Sequence, residues 1–285
     1  MKAFRKKYAK LLAWVLVFVL VVLGAAAYWI RLDYQHYRTR AVPILEYHAI
    51  GEHPDWPQNM TISKAKLEEH LKYFKSNGYK MLSLSQMADR FRNRESVDKC
   101  VVMTFDDGYV DNHTNAFPLL QKYNAKATFF IVQSKIGLPN YMGYQEIGQL
   151  INAGMEIGSH TINHQVLTDI EPKFLTWEIA TSKFFIKKDF NGYYVAGLSY
   201  PCGKYNDEIV EMADRYGYQY AVTGEDGTTD FESFRKAPLL LGRVIVDTGN
   251  LPYLLHKIDQ AYLMGYIKSK NISPKAFSFF RLLNL

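Results

Sequence analysis

Asp106 and Asp107 stand side by side in Thr104-Phe105-Asp106-Asp107-Gly108, and Ser159-His160-Thr161-Ile162-Asn163-His164 follows downstream. One carboxylate and two imidazoles form the donor set that a hydrolytic zinc ion takes, with one position left for water. A second carboxylate beside them is what a metal-assisted hydrolase needs as a base. Neither motif says much alone, since Asp-Asp-Gly commonly makes a turn and His-x-x-x-His commonly lies on a solvated face. Together they say more. Each follows an apolar, strand-like run, Cys100–Phe105 before the first and Met155–Gly158 before the second, and α/β folds build their sites at the carboxyl ends of strands. Neighbouring side chains on a strand point to opposite faces, so the two aspartates can share a cleft only where the strand has ended. Gly108 permits the bend that this requires.

The surrounding chain reads as alternating strands and helices. Strand-like runs are Ile44–Tyr47, Cys100–Phe105, Lys126–Val132, Met155–Gly158, Val195–Tyr200, Tyr218–Thr223 and Arg243–Val246. Between them Lys64–Lys75, Ser85–Phe91, Asn112–Tyr123, Gln145–Asn152, Phe174–Lys187, Asn206–Tyr216 and Leu251–Tyr262 carry helical periodicity or helix-ending signals such as Asn77-Gly78. Repeated βα units predict a mostly parallel sheet in an α/β fold. A chain of 285 residues suits one large domain with accessories, and 48% hydrophobic residues supply its core.

With these elements in place, Thr104–Gly108 and Ser159–His164 resemble the first two motifs of the polysaccharide deacetylases, the carbohydrate esterase family with the NodB homology domain. Ser199-Tyr200-Pro201-Cys202-Gly203 resembles the family's Arg-x-Pro-Tyr-Gly loop, with serine in place of arginine and cysteine in place of tyrosine. The catalytic histidine, usually late in the chain, is matched early, in Pro43-Ile44-Leu45-Glu46-Tyr47-His48. That order resembles the circularly permuted members that act on poly-β-1,6-N-acetylglucosamine of biofilm exopolysaccharide. In those, a late strand supplies the missing arginine, and Leu241-Gly242-Arg243-Val244-Ile245-Val246 is the candidate here. The resemblance implies a distorted, incomplete (β/α) barrel over residues 43–265.

It also implies roles. Asp107, His160 and His164 would hold a divalent ion, Zn²⁺ first, with Co²⁺, Ni²⁺ or Mn²⁺ also suited to the donors. Asp106 would be the base and His48 the acid; Arg243 would orient Asp106 and keep it ionised; the backbone N–H of Cys202 would face the developing oxyanion. His256, in Leu254-Leu255-His256, matches the unpermuted motif superficially but lies in a helical stretch, so it ranks behind His48. His36, His53, His70 and His113 read as surface or structural residues. Trp56, between Pro54 and Pro57, suits either a sugar face or a plain loop anchor. The expected reaction is N-deacetylation of a surface poly-N-acetylglucosamine. The rivals are peptidoglycan or chitin-like β-1,4 chains, O-acetyl hydrolysis, and a non-catalytic glycan-binding protein.

The N-terminus carries a separate signal. Lys2, Arg5, Lys6, Lys7 and Lys10 precede Leu11–Ile30, twenty residues without a charge, long enough to cross the hydrocarbon core. Basic residues concentrated before the span favour the N-terminus inside and the domain outside, at the cell membrane. The rival is a cleaved signal peptide ending at Ala27, which would give a secreted form; Tyr28-Trp29-Ile30 continues the apolar run as an interface belt and favours an anchor. Residues 1–30 are thus read as basic terminus and anchor, 31–42 as a polar linker, and 266–285 as a basic-aromatic tail. Residues 1–10 carry five of the formal charges behind the net +6, leaving +1 for the rest, which gives no footprint for nucleic acid. Expected partners are an N-acetylated polysaccharide, the membrane, and envelope polysaccharide synthesis machinery. Cys100 and Cys202 form no disulfide framework and are predicted to be free thiols.

Overall fold

The computed structural model describes residues 2–51, 58–273 and 280; Trp56 and His53 lie outside them. Among the described residues the strands are β1 (Ala41–Tyr47), β2 (Lys80–Leu82), β3 (Cys100–Phe105), β4 (Thr128–Ile131), β5 (Glu156–Ser159), β6 (Gly197–Ser199), β7 (Tyr220–Val222), β8 (Thr228–Asp230) and β9 (Val244–Ile245). The helices are α1 (Lys2–Arg38), α2 (Lys64–Ser76), α3 (Leu84–Arg92), α4 (Phe117–Lys122), α5 (Tyr144–Asn152), α6 (Pro172–Thr176), α7 (Ser182–Asp189), α8 (Asp207–Arg215), α9 (Phe231–Lys236) and α10 (Leu251–Ser269).

One sheet holds all the strands, in the order β7-β6-β5-β4-β3-β1-β8, with β2 also on β3 and β9 also on β1. Every pairing is parallel except β1 with β8. The sheet curls and does not close, and Met87 and Phe91 of α3 and Phe234 of α9 join its inner apolar layer, which is the incomplete (β/α) barrel expected. Strand alternation divides the apolar residues between two layers. Leu45, Tyr47, Met103, Phe105, Phe129 and Ile157 face outward to the helices, while Val42, Ile44, Val102, Phe130 and Val222 fill the lower barrel interior. Above that inner layer the same parity delivers polar residues, Glu46 on β1 and Thr104 on β3, both buried.

Three expectations are corrected. Residues 31–42 are not a spacer: α1 continues to Arg38 and β1 begins at Ala41, with Tyr34 and Tyr37 buried in the main core. The boundary at 265 falls inside α10, whose Tyr266 and Ile267 are buried, so the tail reading applies at most beyond Ser269, largely outside the described residues. The strand expected over Leu241–Val246 contracts to Val244–Ile245, because Gly242 and Arg243 leave the ladder before it. Cys100 and Cys202 are free thiols, the first buried and the second exposed.

Candidate active site

Strand parity assembles the centre of the barrel mouth. Arg243, 1% exposed, donates from Nη1 to Asp106 Oδ1 and from Nη2 to Asp106 Oδ2, both at 2.9 Å. Ser199 Oγ donates to Asp106 Oδ2 at 2.9 Å and accepts from Arg243 Nη2 at 3.2 Å. A carboxylate has about four lone-pair directions; these three donors leave one on Oδ1 free. Burial pushes the Asp106 pKa up, but the charge of Arg243 and the hydrogen bonds from it outweigh this and hold the group below the ordinary carboxylate range. Such a group is ionised at neutral pH.

Glu46 is a third partner that the sequence did not single out. Its Oε2 lies 3.0 Å from Arg243 Nε, but that N–H is aimed at Thr223 O, 3.2 Å away, so the contact is an ion pair without a hydrogen bond. Burial raises the Glu46 pKa and Arg243 offsets only part of it. His48 Nε2 lies 3.6 Å from Glu46 Oε1, and His48 Nδ1 is buried with no hydrogen-bond partner.

Asp107, His160 and His164 form the second cluster, each offering one ligand atom within 4.8 Å of the others. His164 Nε2 is 3.3 Å and His160 Nε2 3.7 Å from Asp107 Oδ1. His160 Nδ1 is 2.8 Å from Ser199 O; a carbonyl only accepts, so Nδ1 carries the proton and Nε2 turns its lone pair to the cluster. Burial, with repulsion from His160, lowers the His164 pKa to about 4, which keeps that imidazole neutral. Two imidazoles and a carboxylate converging on one point fit a divalent ion of the zinc class.

The loops carrying these side chains are held in conformations that L residues rarely take. Asp107 (φ 70°), Thr161 (φ 67°), His164 (φ 59°) and Cys202 (φ 55°) all lie in the left-handed region, and such outliers persist only where surroundings over-determine them. Two π-helical turns do part of this. In Trp177–Thr181, the buried Glu178 accepts from the N–H groups of Ile162 (3.1 Å) and Asn163 (2.9 Å) and from Asn163 Nδ2 (2.8 Å). Around Asn112–Ala116, Asn112 Nδ2 donates to His48 O at 2.8 Å and Asn115 Nδ2 to Ile50 O at 2.7 Å, while Asp111 Oδ2 accepts from Ile50 N–H at 2.5 Å. The segment bearing His48 is thus stapled to the segment following the Asp-Asp pair. π-Bulges recur at functional sites.

Of the residues singled out in the sequence, Asp106, Asp107, His160, His164, His48 and Arg243 come together at this mouth. Cys202 lies exposed in the Pro201–Gly203 turn after β6, three residues beyond Ser199. His256 is elsewhere, exposed on α10 and bonded to Gln260 Nε2 at 3.0 Å. His70 is fully buried behind Tyr47, whose hydroxyl lies 3.3 Å from its Nδ1. Glu46, Glu178, Asp111 and Asn112 were missed. The signal available for them was charge or amide inside or beside an apolar element, which a single sequence does not separate from ordinary surface polarity.

The family model for polysaccharide deacetylases matches residues 93–221. YxkH of Bacillus subtilis (strain 168), a relative named for the polysaccharide deacetylases, is 34% identical over 200 residues, covering 70% of this chain and 68% of its own. The poly-beta-1,6-N-acetyl-D-glucosamine N-deacetylase of Staphylococcus epidermidis is 24% identical over 207 residues, 67% of this chain and 71% of that one. Among solved structures, the Streptococcus pyogenes deacetylase PplD in complex with acetate superposes with a TM-score of 0.69 at 28% identity, covering 77% of this chain and 98% of that one.

Proposed function

This chain belongs to the polysaccharide deacetylase family, and from that premise we propose that it is a metal-dependent hydrolase removing N-acetyl groups from a surface poly-N-acetylglucosamine. The observation that carries this reading is the pairing at one barrel mouth of Asp106, held ionised by Arg243, with the Asp107, His160 and His164 cluster. Those three residues would hold the ion, zinc by preference. When bound, it supplies Lewis acidity towards an acetyl carbonyl and lowers the pKa of water. The remaining work falls to the protein. Asp106 takes the proton of the attacking water at its free Oδ1 lone pair, while Arg243 and Ser199 fix its plane. His48, backed by Glu46, gives a proton to the sugar nitrogen as the C–N bond breaks. The Cys202 backbone N–H is the candidate donor to the acetyl oxygen.

The β-1,6 linkage is favoured by the early position of His48 and by the staphylococcal relative. The competing reading, the same hydrolysis on β-1,4 chains or O-acetyl groups, rests on the same residues. Acetate release by the purified domain from β-1,6 and β-1,4 N-acetylglucosamine oligomers separates them; faster release from the β-1,4 series would overturn the linkage while leaving the chemistry intact. Leu11–Ile30 would cross the membrane with the N-terminus inside and the domain outside. α1 is apolar and unburied over this stretch and long enough to cross a bilayer. A secreted form cleaved after Ala27 is the alternative, and a mass measurement on the native protein decides it. Coupling to envelope polysaccharide synthesis would follow from that location.

A further inference from the structure

α1 changes character abruptly. Trp29 is 71% and Leu32 44% exposed, whereas Tyr34 is 1% and Tyr37 8% exposed. The buried pair packs on α10: Tyr34 and Tyr37 lie edge-on to Tyr266, with ring centroids 5.4 and 5.8 Å away. Tyr37 hydroxyl is 2.9 Å from Thr228 Oγ1 on β8. Gly265 makes the approach possible, because a Cβ there would collide with the Tyr37 hydroxyl and Thr228 Oγ1. Polar contacts close the seam at both ends. Arg38 pairs with Asp259 at 2.8 Å and stacks over Tyr262 at 4.6 Å, and Asp33 pairs with Lys270 at 2.6 Å and accepts from the Tyr266 hydroxyl at 2.9 Å.

These contacts fix direction as well as attachment. α1 and α10 run antiparallel, since Asp33 meets Lys270 and Arg38 meets Asp259. Lys257, near the upper end of α10, donates to Ile245 O on β9, and Ile245 is in register with Glu46 of the site. Descending α10 from Lys257 to Lys270 covers about 20 Å, at 1.5 Å per residue. His48 lies about 6 Å further up β1 than Glu46, at about 3.3 Å per residue. Below Asp33, α1 continues without a break into the exposed apolar segment, on the side opposite the barrel mouth.

We propose that the last two turns of α1 are a structural part of the catalytic domain, so that a lipid bilayer around Leu11–Ile30 carries the domain as a rigid extension, with the α10 foot at the headgroup layer and the cleft facing away at about 26 Å. The partner surface is the bilayer itself. Only Arg31 and Leu32 separate the apolar span from the docked Asp33, too few for a swinging linker. This inference rests on the membrane reading given above. It goes further by assigning a height: the enzyme would act on chains standing off the membrane and would not reach groups at the headgroup plane.

The test uses the full chain in phosphatidylglycerol–phosphatidylcholine vesicles, with an N-terminal tag and a fluorophore on Cys202, the exposed thiol. Energy transfer to headgroup dyes reads the height and its spread. The expected result is one narrow distance near about 26 Å, broadening on insertion of a Gly-Ser segment between Leu32 and Asp33, with acetate release in detergent, read on unlabelled protein, the same with and without the insertion. A native distribution as broad as that of the insertion variant, or a label at the headgroup plane, would overturn the rigid mounting. Loss of the tag from the recovered protein would instead show cleavage, and the anchoring reading would fall together with this one.

Discussion

At the scale of single residues the site separates into two groups with distinguishable failures. Asp107→Ala, His160→Ala and His164→Ala should each abolish bound metal and turnover, since three protein ligands leave no redundancy; metal analysis alongside acetate release checks this, and stoichiometric metal in the triple variant would remove the assignment. His48→Ala should cut kcat on N-acetyl substrates by roughly 10²–10⁴ with metal content unchanged, whereas His256→Ala should leave the rate as it was. The difference should shrink on activated acetyl esters, whose leaving groups need no proton. Arg243→Ala would leave Asp106 and Glu46 buried without a counter-charge, a change worth about 3–5 kcal/mol of stability, readable as a fall in the denaturant midpoint. The Asp107, His160 and His164 cluster and Asp106 were legible because their types and spacing are rare in combination. Glu46 was not, because one charged residue in Ile44-Leu45-Glu46-Tyr47 looks like a solvent-facing strand position until the barrel wraps around it.

At the scale of elements, legibility followed length and apolarity. β3, with six consecutive buried residues, matches its sequence reading at both ends. β8 was missed since Thr228-Thr229-Asp230 is short, polar and antiparallel to β1, and three-residue β2 likewise lacks a periodicity to detect. The end of α1 was misread for another reason. Arg31, Asp33, Gln35, His36 and Arg38 make 31–38 look like a solvated spacer, and the buried pair Tyr34 and Tyr37, one helical turn apart, shows as a stripe only once α10 is known to face it. Replacing both tyrosines by alanine should therefore lower domain stability, each by about 3 kcal/mol on the scale of buried aromatic truncations. A truncation starting at Gly24 should retain the native melting temperature, and one starting at Thr39 should not. The staple from Asn112 to His48 O makes a further expectation: Asn112→Ala should reduce kcat more than it raises KM, because it frees the segment bearing His48, the proposed acid, and touches none of the proposed metal ligands.

At the scale of the whole molecule, folding places an ionised cluster above an apolar barrel interior, and its pH response has a calculable sign. His70 is fully buried, and burial with some repulsion from Lys66 lowers its pKa to about 4. A folded-state value below the ordinary 6.5 means the neutral form is the stable one. Its contribution is complete above pH 6.5 and is lost as pH falls towards 4, by up to roughly 3 kcal/mol. Comparing wild type with His70→Gln between pH 7.5 and 4.5 isolates that slope; equal slopes would contradict it. The barrel, the parity of its strands and the site at its carboxyl edge together state one claim, that Asp106 is the proton acceptor for amide hydrolysis beside a metal held by its neighbours. Acetate release from a β-1,6-linked N-acetylglucosamine oligomer, measured for wild type and Asp106→Asn with metal content determined on the same samples, tests it most directly. The account predicts equal metal and a rate lower by roughly 10²–10⁴ in the variant; equal metal with a near-native rate would contradict it.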